Sequence, residues 1–530
     1  MTRDVARDRS LASGPGVRGG EGRLHDLALS VGLTPHPGAP GELRAHCPAP
    51  TFADAVARMA AGAWLSDLFA SAEGEGMGLT AILSMAGDPG WLLVSAPLGE
   101  DRFPSLTPRV HAASWYEREI AEMYGLEPVG HPAPARLRLH DWPSGAPPMR
   151  TTPGGAVPAR PGPDLASVVR GQGVVQLPLG PVRSGPQESA GFLLVSGGED
   201  LVMVVPRLGY KFRAVERLAE RQTVEVGLTL AERIAGVSAI SNGLAFAHAV
   251  ERAAGIVPPP GARRARVLLN ELERLHHHLG ALSRLAEATG LGVAGAQYAI
   301  LKEEVLRICG RLTGHRYGRG IVAVGGLASP LNRAALATLA TVLPAWRRRG
   351  RRLRDLLEDT TTFVDRLETT AVLAPEQARS YHLVGPVGRA SGVDRDARRD
   401  HPYAAYAEMS VAVPLAVEGD ALARARVLLD EIEQSLTIVE QALDGCDDRE
   451  VRADGLLGPG SAVGWTEAPS GECLHYVELD DRGRLRRWRA RPPACVAWHP
   501  FAHACASGNN LTDYPVIEAS FALSHAELDR

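Results

Sequence analysis

Between residues 131 and 163 the chain carries nine prolines, among them Pro147–Pro148 and the run PARPGP. Proline removes a backbone donor and fixes φ, so this density sustains neither a helix nor a central strand. The stretch therefore divides the chain. Residues 1–22 read as a flexible tail, 23–140 as a first domain, 141–171 as a proline-rich linker and 172–530 as a second domain. In the first domain GLTAILSMAG and GWLLVSAPL have the apolar character of strands, and SWYEREIAEMYG has helical spacing. After the prolines, VVQLPLGPV and GFLLVSGGEDLVMVVP predict a small β-unit. From about 212 to 450 the pattern is helical: FRAVERLAERQ, a long run over 229–255, another over 262–290, Tyr298 to Leu312 and ALARARVLLDEIEQSLTIVEQAL. Strands and loops return over 455–530. The expected class is α+β, with a helical core in the second domain and β-rich margins.

A chain of 530 residues predicts two or three domains. The formal net charge of −4 gives no nucleic-acid signature, and no nucleic-acid partner is expected. Arginine-dense stretches at Arg347–Arg354 and Arg484–Arg491 read as solvated helix faces or protein contacts. The six cysteines (Cys47, Cys309, Cys446, Cys473, Cys495 and Cys505) include no Cys-x-x-Cys pair, which argues against a zinc or iron–sulfur site of the chain's own. The start has no apolar signal core and no apolar run reaches bilayer-spanning length. The expectation is a cytoplasmic protein that meets the inner face of the membrane through partners.

Two groups of motifs carry a resemblance. The segment FPSLTPRVHAASWYEREIAEMYGLEPVGHPAPARLRL resembles the signature of the complex I 30-kDa subunit family, through Pro104, Ser105, Trp115, Glu117, Arg118, Glu119, Met123, Gly125, Gly130, His131, Pro132, Arg136 and Leu137. The second domain resembles the complex I 49-kDa subunit and the large subunit of membrane-bound nickel–iron hydrogenases. The matching stretches are Gly209–Glu220, Glu232–Glu251, Glu271–Gly280, Thr313–Gly326, Gly385–Tyr406 and Asn509–His525.

The same motifs mark departures from that family. Its nickel–iron site takes two thiolates from each of two Cys-x-x-Cys pairs, soft donors suited to such metals. Here the first pair falls on Ala235 and Ser238 and the second on Ala522 and His525, and the family histidine beyond the first pair is Asn242. Ala235, Ser238 and Asn242 are spaced for one helix face and predict a small polar cavity where the metals would be. The family's nickel enzymes trim a C-terminal extension, whereas this sequence ends at Arg530. In the complex I branch a tyrosine takes the place of Gly236, and a histidine lies in a β-hairpin where this chain has Arg183, with Glu188 further along. Neither quinone-binding side chain is present. The resemblance is strongest to energy-converting-hydrogenase-related and formate hydrogenlyase-like subunits that lack nickel ligands.

What the resemblance implies is an oxidoreductase subunit of NADH dehydrogenase type, within a complex that binds NAD and quinone, and without a nickel site of its own. Arg213, Glu271, Arg274 and His278 match positions that lie beside a 4Fe-4S cluster held by a small subunit like the B subunit of complex I. The latter three share a helix face at i, i+3, i+7. His276 and His277 read as structural or solvated. The segment 389–400, with Asp394, Asp396, Arg398 and Arg399, reads as a buried ion-pair strap. No cofactor is expected on the chain itself; quinone is a candidate ligand, and antiporter-like membrane subunits are expected partners. The rival reading is a redox-inactive scaffold of the same complex.

Overall fold

The computed structural model describes residues 22–73, 76–139, 147–150, 171–183, 188–446 and 450–530. Most of the linker expected at 141–171 lies outside these, as does the tail expected at 1–22 apart from Gly22. The first domain is a mixed five-stranded sheet, order β1-β2-β5-β4-β3. Its strands are β1 (His36–Pro37), β2 (Glu42–His46), β3 (Trp64–Glu73), β4 (Gly76–Met85) and β5 (Asp88–Leu98). The apolar runs of β4 and β5 pair antiparallel as Leu83 with Leu92 and Ala81 with Val94. Helix α1 (Ser114–Tyr124) ends where Gly125 takes φ of +67°, a conformation that glycine adopts without strain.

The second domain opens with a small antiparallel sheet of β6 (Val174–Leu179), β7 (Gly191–Gly197) and β8 (Asp200–Arg207). Its core is helical: α2 (Val224–Ala231), α3 (Ala239–Ala254), α4 (Pro260–Ala288), α5 (Gly292–Thr313), α6 (Arg333–Glu358) and α7 (Ala421–Leu443). A three-stranded sheet, β9 (Gly460–Ala468), β10 (Gly471–Leu479) and β11 (Leu485–Arg491), packs on α3, and α8 (Tyr514–Phe521) packs on α4. Gly464 lets α3 approach β9: a Cβ there would lie 2.1 Å from the Ala245 carbonyl oxygen. None of the described helices is long and apolar enough to cross a membrane.

Every residue of α4 from Ala265 to Ser283 is buried. A helix surrounded in this way is ordinarily apolar throughout. This one carries Arg266, Asn270, Glu271, Glu273, Arg274, His276, His277 and His278. Charges are tolerated inside a protein only with partners, and those partners define the site below.

Three sequence expectations need correction. The run over 229–255 is not one helix. It breaks after α2, and Ala235 is extended, with φ of −145° and ψ of 144°. The break is held by residues distant in sequence: Arg213 donates to the carbonyls of Arg233 and Ile234, and the Glu273 carboxyl accepts from the first amides of α3, Ile240 N at 2.6 Å and Ser241 N at 2.9 Å. The helix expected over 212–222 shrinks to Val215–Ala219. The arginines of α6 lie partly in solvent and pair within the chain with Glu304, Asp430, Glu433 and Glu440. Those of β11 do not form a solvated face: Arg487, Arg489 and Arg491 are buried.

One of these β11 arginines, Arg489, joins the two domains through ion pairs. Arg489 grips Asp67 of β3 with two hydrogen bonds, at 3.0 and 2.8 Å, and Glu119 of α1 at 2.6 Å. Glu119 also receives Arg138 and Arg530, each at 2.6 Å. Glu216 receives Arg487 at 2.8 Å and Arg530 at 3.2 Å. Burial pushes the Glu119 carboxyl up, but the guanidiniums of Arg138, Arg489 and Arg530 outweigh it and hold it well below the usual carboxylate range.

Candidate functional site

A cavity of about 360 Å3 lies where four parts of the second domain meet. They are the hairpin after β6, with Arg183 and Glu188; α4, with His276, His277 and Arg284; Lys302 of α5; and α8 with the segment beyond it, including Glu518, Ala522 and His525. The fold thus brings the two hairpin residues singled out in the sequence together with the second pair of former thiolate positions. Arg183 pairs with Glu518 at 2.7 Å and stacks over Phe192. Glu188 accepts from the Ser524 hydroxyl and from the backbone amides of His525 and Ala526.

The first pair of former thiolate positions lies elsewhere. Ala235, Ser238 and Asn242 are buried and do not line this cavity; Val237 does. Nor do the three share one helix face, because Ala235 precedes the helix and Ser238 is its N-cap. Ser238 donates to Glu527 at 2.7 Å, and Asn242 holds Ser238 on one side and His475 on the other. Burial raises both Glu527 and Glu273 to about 7. The donor set at the four positions contains no thiolate, only one hydroxyl and one imidazole. Among the described residues no three His, Cys, Asp or Glu side chains are grouped to hold a metal ion. The residues present do not fit a nickel–iron pair. Purified protein is expected to contain no stoichiometric nickel and to evolve no hydrogen. Elemental analysis finding about one nickel per chain would overturn this reading of the donor set.

Glu271, Arg274 and His278 do share a face of α4, and all three are wholly buried. Their partners come from three other segments. His278 Nε2 lies 2.8 Å from Glu431 of α7, and Arg274 lies 3.2 Å from the same carboxylate. Arg389 bonds the other Glu431 oxygen at 2.6 Å and Glu467 of β9 at 2.9 Å. Arg398 joins Asp396 at 2.7 Å to Glu271 at 3.2 Å. The strap over 389–400 is therefore only half buried. Arg389, Asp396 and Arg398 face inward, while Asp394 and Arg399 pair at the surface. Burial pushes Glu431 up, but Arg389, His278 and Arg274 hold it well below the usual range. Glu467, beside Asp396, is raised to about 7 by burial and that like charge. Arg213 is not part of this cluster. Its guanidinium clamps backbone carbonyls of Arg233, Ile234, Ala526 and Asp529.

The residue that sequence reasoning passed over is His277. It is neither solvated nor isolated: it lines the cavity, its Nε2 lies 3.1 Å from the Ala522 carbonyl, and its Nδ1 lies 3.2 Å from Nδ1 of His278. A continuous line of hydrogen bonds thus runs from the cavity wall through His277 and His278 to Glu431. Donor counting constrains its protons. If Glu431 is ionised, His278 Nε2–H points to it, and His278 Nδ1 must accept from His277. His277 Nε2 then also needs a proton for Ala522. With one proton fewer, two acceptors would face each other. The line is fully satisfied when it holds one proton beyond two neutral imidazoles and a carboxylate. That proton can reside on Glu431 or on His277, with the intervening bonds reversed. Burial holds His277 well below the usual imidazole value, and Arg389, His278 and Arg274 hold Glu431 well below the usual carboxylate range, so both ends of the line give up that proton readily. Glu431 itself is 153 residues from His278, which is why no local motif reveals the pair.

Two family models match the chain: the respiratory-chain NADH dehydrogenase 49-kDa subunit over residues 296–458, and the 30-kDa subunit over residues 49–155. The chain belongs to the family of complex I and hydrogenase subunits in which a 30-kDa-type domain precedes a 49-kDa-type domain. Among its relatives, formate hydrogenlyase subunit 5 of Escherichia coli is 32% identical over 486 residues, covering 88% of this chain and 85% of the relative. Hydrogenase-4 component G of the same organism is 33% identical over 484 residues, covering 88% and 84%. The membrane-bound hydrogenase subunit alpha of Pyrococcus furiosus is 30% identical over 366 residues, covering 65% and 85%.

Proposed function

We propose that this chain is a peripheral-arm subunit of a membrane-bound, ion-translocating redox complex. In this reading it couples electron transfer at a 4Fe-4S cluster of a partner subunit to antiporter-like membrane subunits by taking up and releasing a proton. The observation that carries the proposal is the line of heavy-atom contacts from the cavity through His277 and His278 to Glu431, whose side chains can take up one further proton. Arg389 joins Glu431 to Glu467, which is raised to about 7, so a shift of charge at one carboxyl is felt by a second that exchanges its own proton near neutrality. The chain's role is to hold this proton beside a cavity wall; electrons enter through the partner's cluster.

The test starts with co-purification of the complex and identification of its subunits by mass spectrometry. A small subunit with cluster cysteines is expected. Redox titration of its cluster, followed by EPR at several pH values, should give a pH-dependent midpoint, and His277→Gln should flatten that dependence by interrupting the line. A midpoint with the same pH slope in wild type and variant would favour the second reading, a redox-inactive scaffold. The dense interdomain ion pairs of β11 support that alternative, because they require the fold but no electron transfer.

A further inference from the structure

We infer that the cavity binds a small organic carboxylate, received by the unpaired edge of Arg183. Arg183 is held on two sides. Its Nη1 is engaged by both oxygens of Glu518, at 2.7 and 2.8 Å, and its guanidinium lies over the Phe192 ring, 5.4 Å from the centroid. The remaining edge, Nε with Nη2, is buried and has no hydrogen-bond partner among the described residues, although the side chain is only 7% exposed. That edge is the planar two-donor fork whose spacing matches the two oxygens of a carboxylate. Leaving two buried guanidinium donors unmet is unfavourable, and a carboxylate would meet both.

The rest of the lining agrees. Of the three carboxylates in the lining, Glu518 is engaged by Arg183 and Glu188 by Ser524 Oγ and two backbone amides, and the third is Glu287. Arg284 and Lys302 add cations. The imidazole atoms His276 Nδ1 and His525 Nε2 are also buried without hydrogen-bond partners among the described residues, which leaves further polar sites for a ligand. Val237, Ala288, Pro515, Ala519 and Leu523 supply an apolar wall, suited to a ligand with a short apolar body behind its carboxylate. Arg183 is thereby a binding residue in the same cavity that His277 lines, and its contact with the ligand does not require electron transfer.

The probe is benzoate, with benzyl alcohol as its neutral counterpart, titrated into the full-length protein by isothermal calorimetry. Saturable benzoate binding is expected, with no comparable binding of the alcohol. Arg183→Lys keeps the charge but removes the fork and should weaken binding about tenfold or more. Glu518→Gln leaves the fork in place, removes a competing charge, and should bind benzoate at least as tightly as wild type. It also shows whether loss of the Arg183–Glu518 pair alone disrupts the hairpin. Absence of saturable binding to wild type, equal binding of benzyl alcohol, or undiminished binding by a folded Arg183→Lys protein would each overturn the inference.

Discussion

Replacing Arg389 by methionine is expected to destabilise the protein by about 3–5 kcal/mol, the usual consequence of removing one partner from a buried ion pair. The guanidinium is wholly buried and touches Glu431, Glu467 and Asp396. After the substitution Glu431 retains Arg274 and His278, and Asp396 retains Arg398. Glu467 retains no cation at ion-pairing distance among the described residues. It already stands near 7, and loss of Arg389 pushes it higher. A carboxyl whose folded pKa exceeds its unfolded value of about 4.5 binds more protons in the native state, so stability falls as pH rises between the two values. The deficit of the variant should therefore be larger at pH 8 than at pH 6. Denaturant unfolding at both values measures it. A deficit below about 1 kcal/mol, or one independent of pH, would show that the cluster does not depend on this cation.

The second large effect is expected at Arg489. Its substitution by methionine leaves Asp67 and Glu119 short of the cation they share, at a cost of about 3–5 kcal/mol. Arg486→Met, on the same strand, is the control. That side chain is 56% exposed and its pair with Glu478 should contribute less than about 1 kcal/mol. Glu119 is held below its ordinary value, so its contribution is complete above about pH 4.5 and is lost as pH falls through the depressed folded value. Wild type should consequently retain its interdomain contact into mild acid, and Arg489→Met should lose it at a higher pH. Limited proteolysis across an acid series reads this directly. Equal cleavage of the two proteins throughout would mean that the domains are held by their apolar contacts alone.

Much of the architecture was legible locally. Apolar content located β4 and β5, and 3.6-residue spacing located α4, α5 and α7. That Ala235, Ser238, Ala522 and His525 are not cysteines is plain from the sequence itself. What was not legible depends on contacts between distant residues. The break before α3 is made by Arg213 and Glu273, and neither lies in the segment that breaks. His277 reads from the sequence as structural or solvated, and it is the packing of α7 and α8 on α4 that decides for the buried alternative. The strap over 389–400 was recognisable as charged, but which arginines turn inward was set by Glu431 and Glu467 on other elements. The arginines of β11 misled for the same reason, since their partners lie on other elements: Asp67 and Glu119 for Arg489, Glu216 for Arg487 and Glu472 for Arg491.

That last arrangement has a consequence for synthesis. Asp67 precedes Arg489 by 422 residues, and Glu119 precedes Arg530 by 411. A chain emerging from the ribosome therefore presents these carboxylates long before it has made the guanidiniums that neutralise them. Domains made first ordinarily finish folding first. Here the N-terminal sheet can form early, but its acidic face keeps its water until β11 arrives, so the two ends of the chain complete their packing in a single late event.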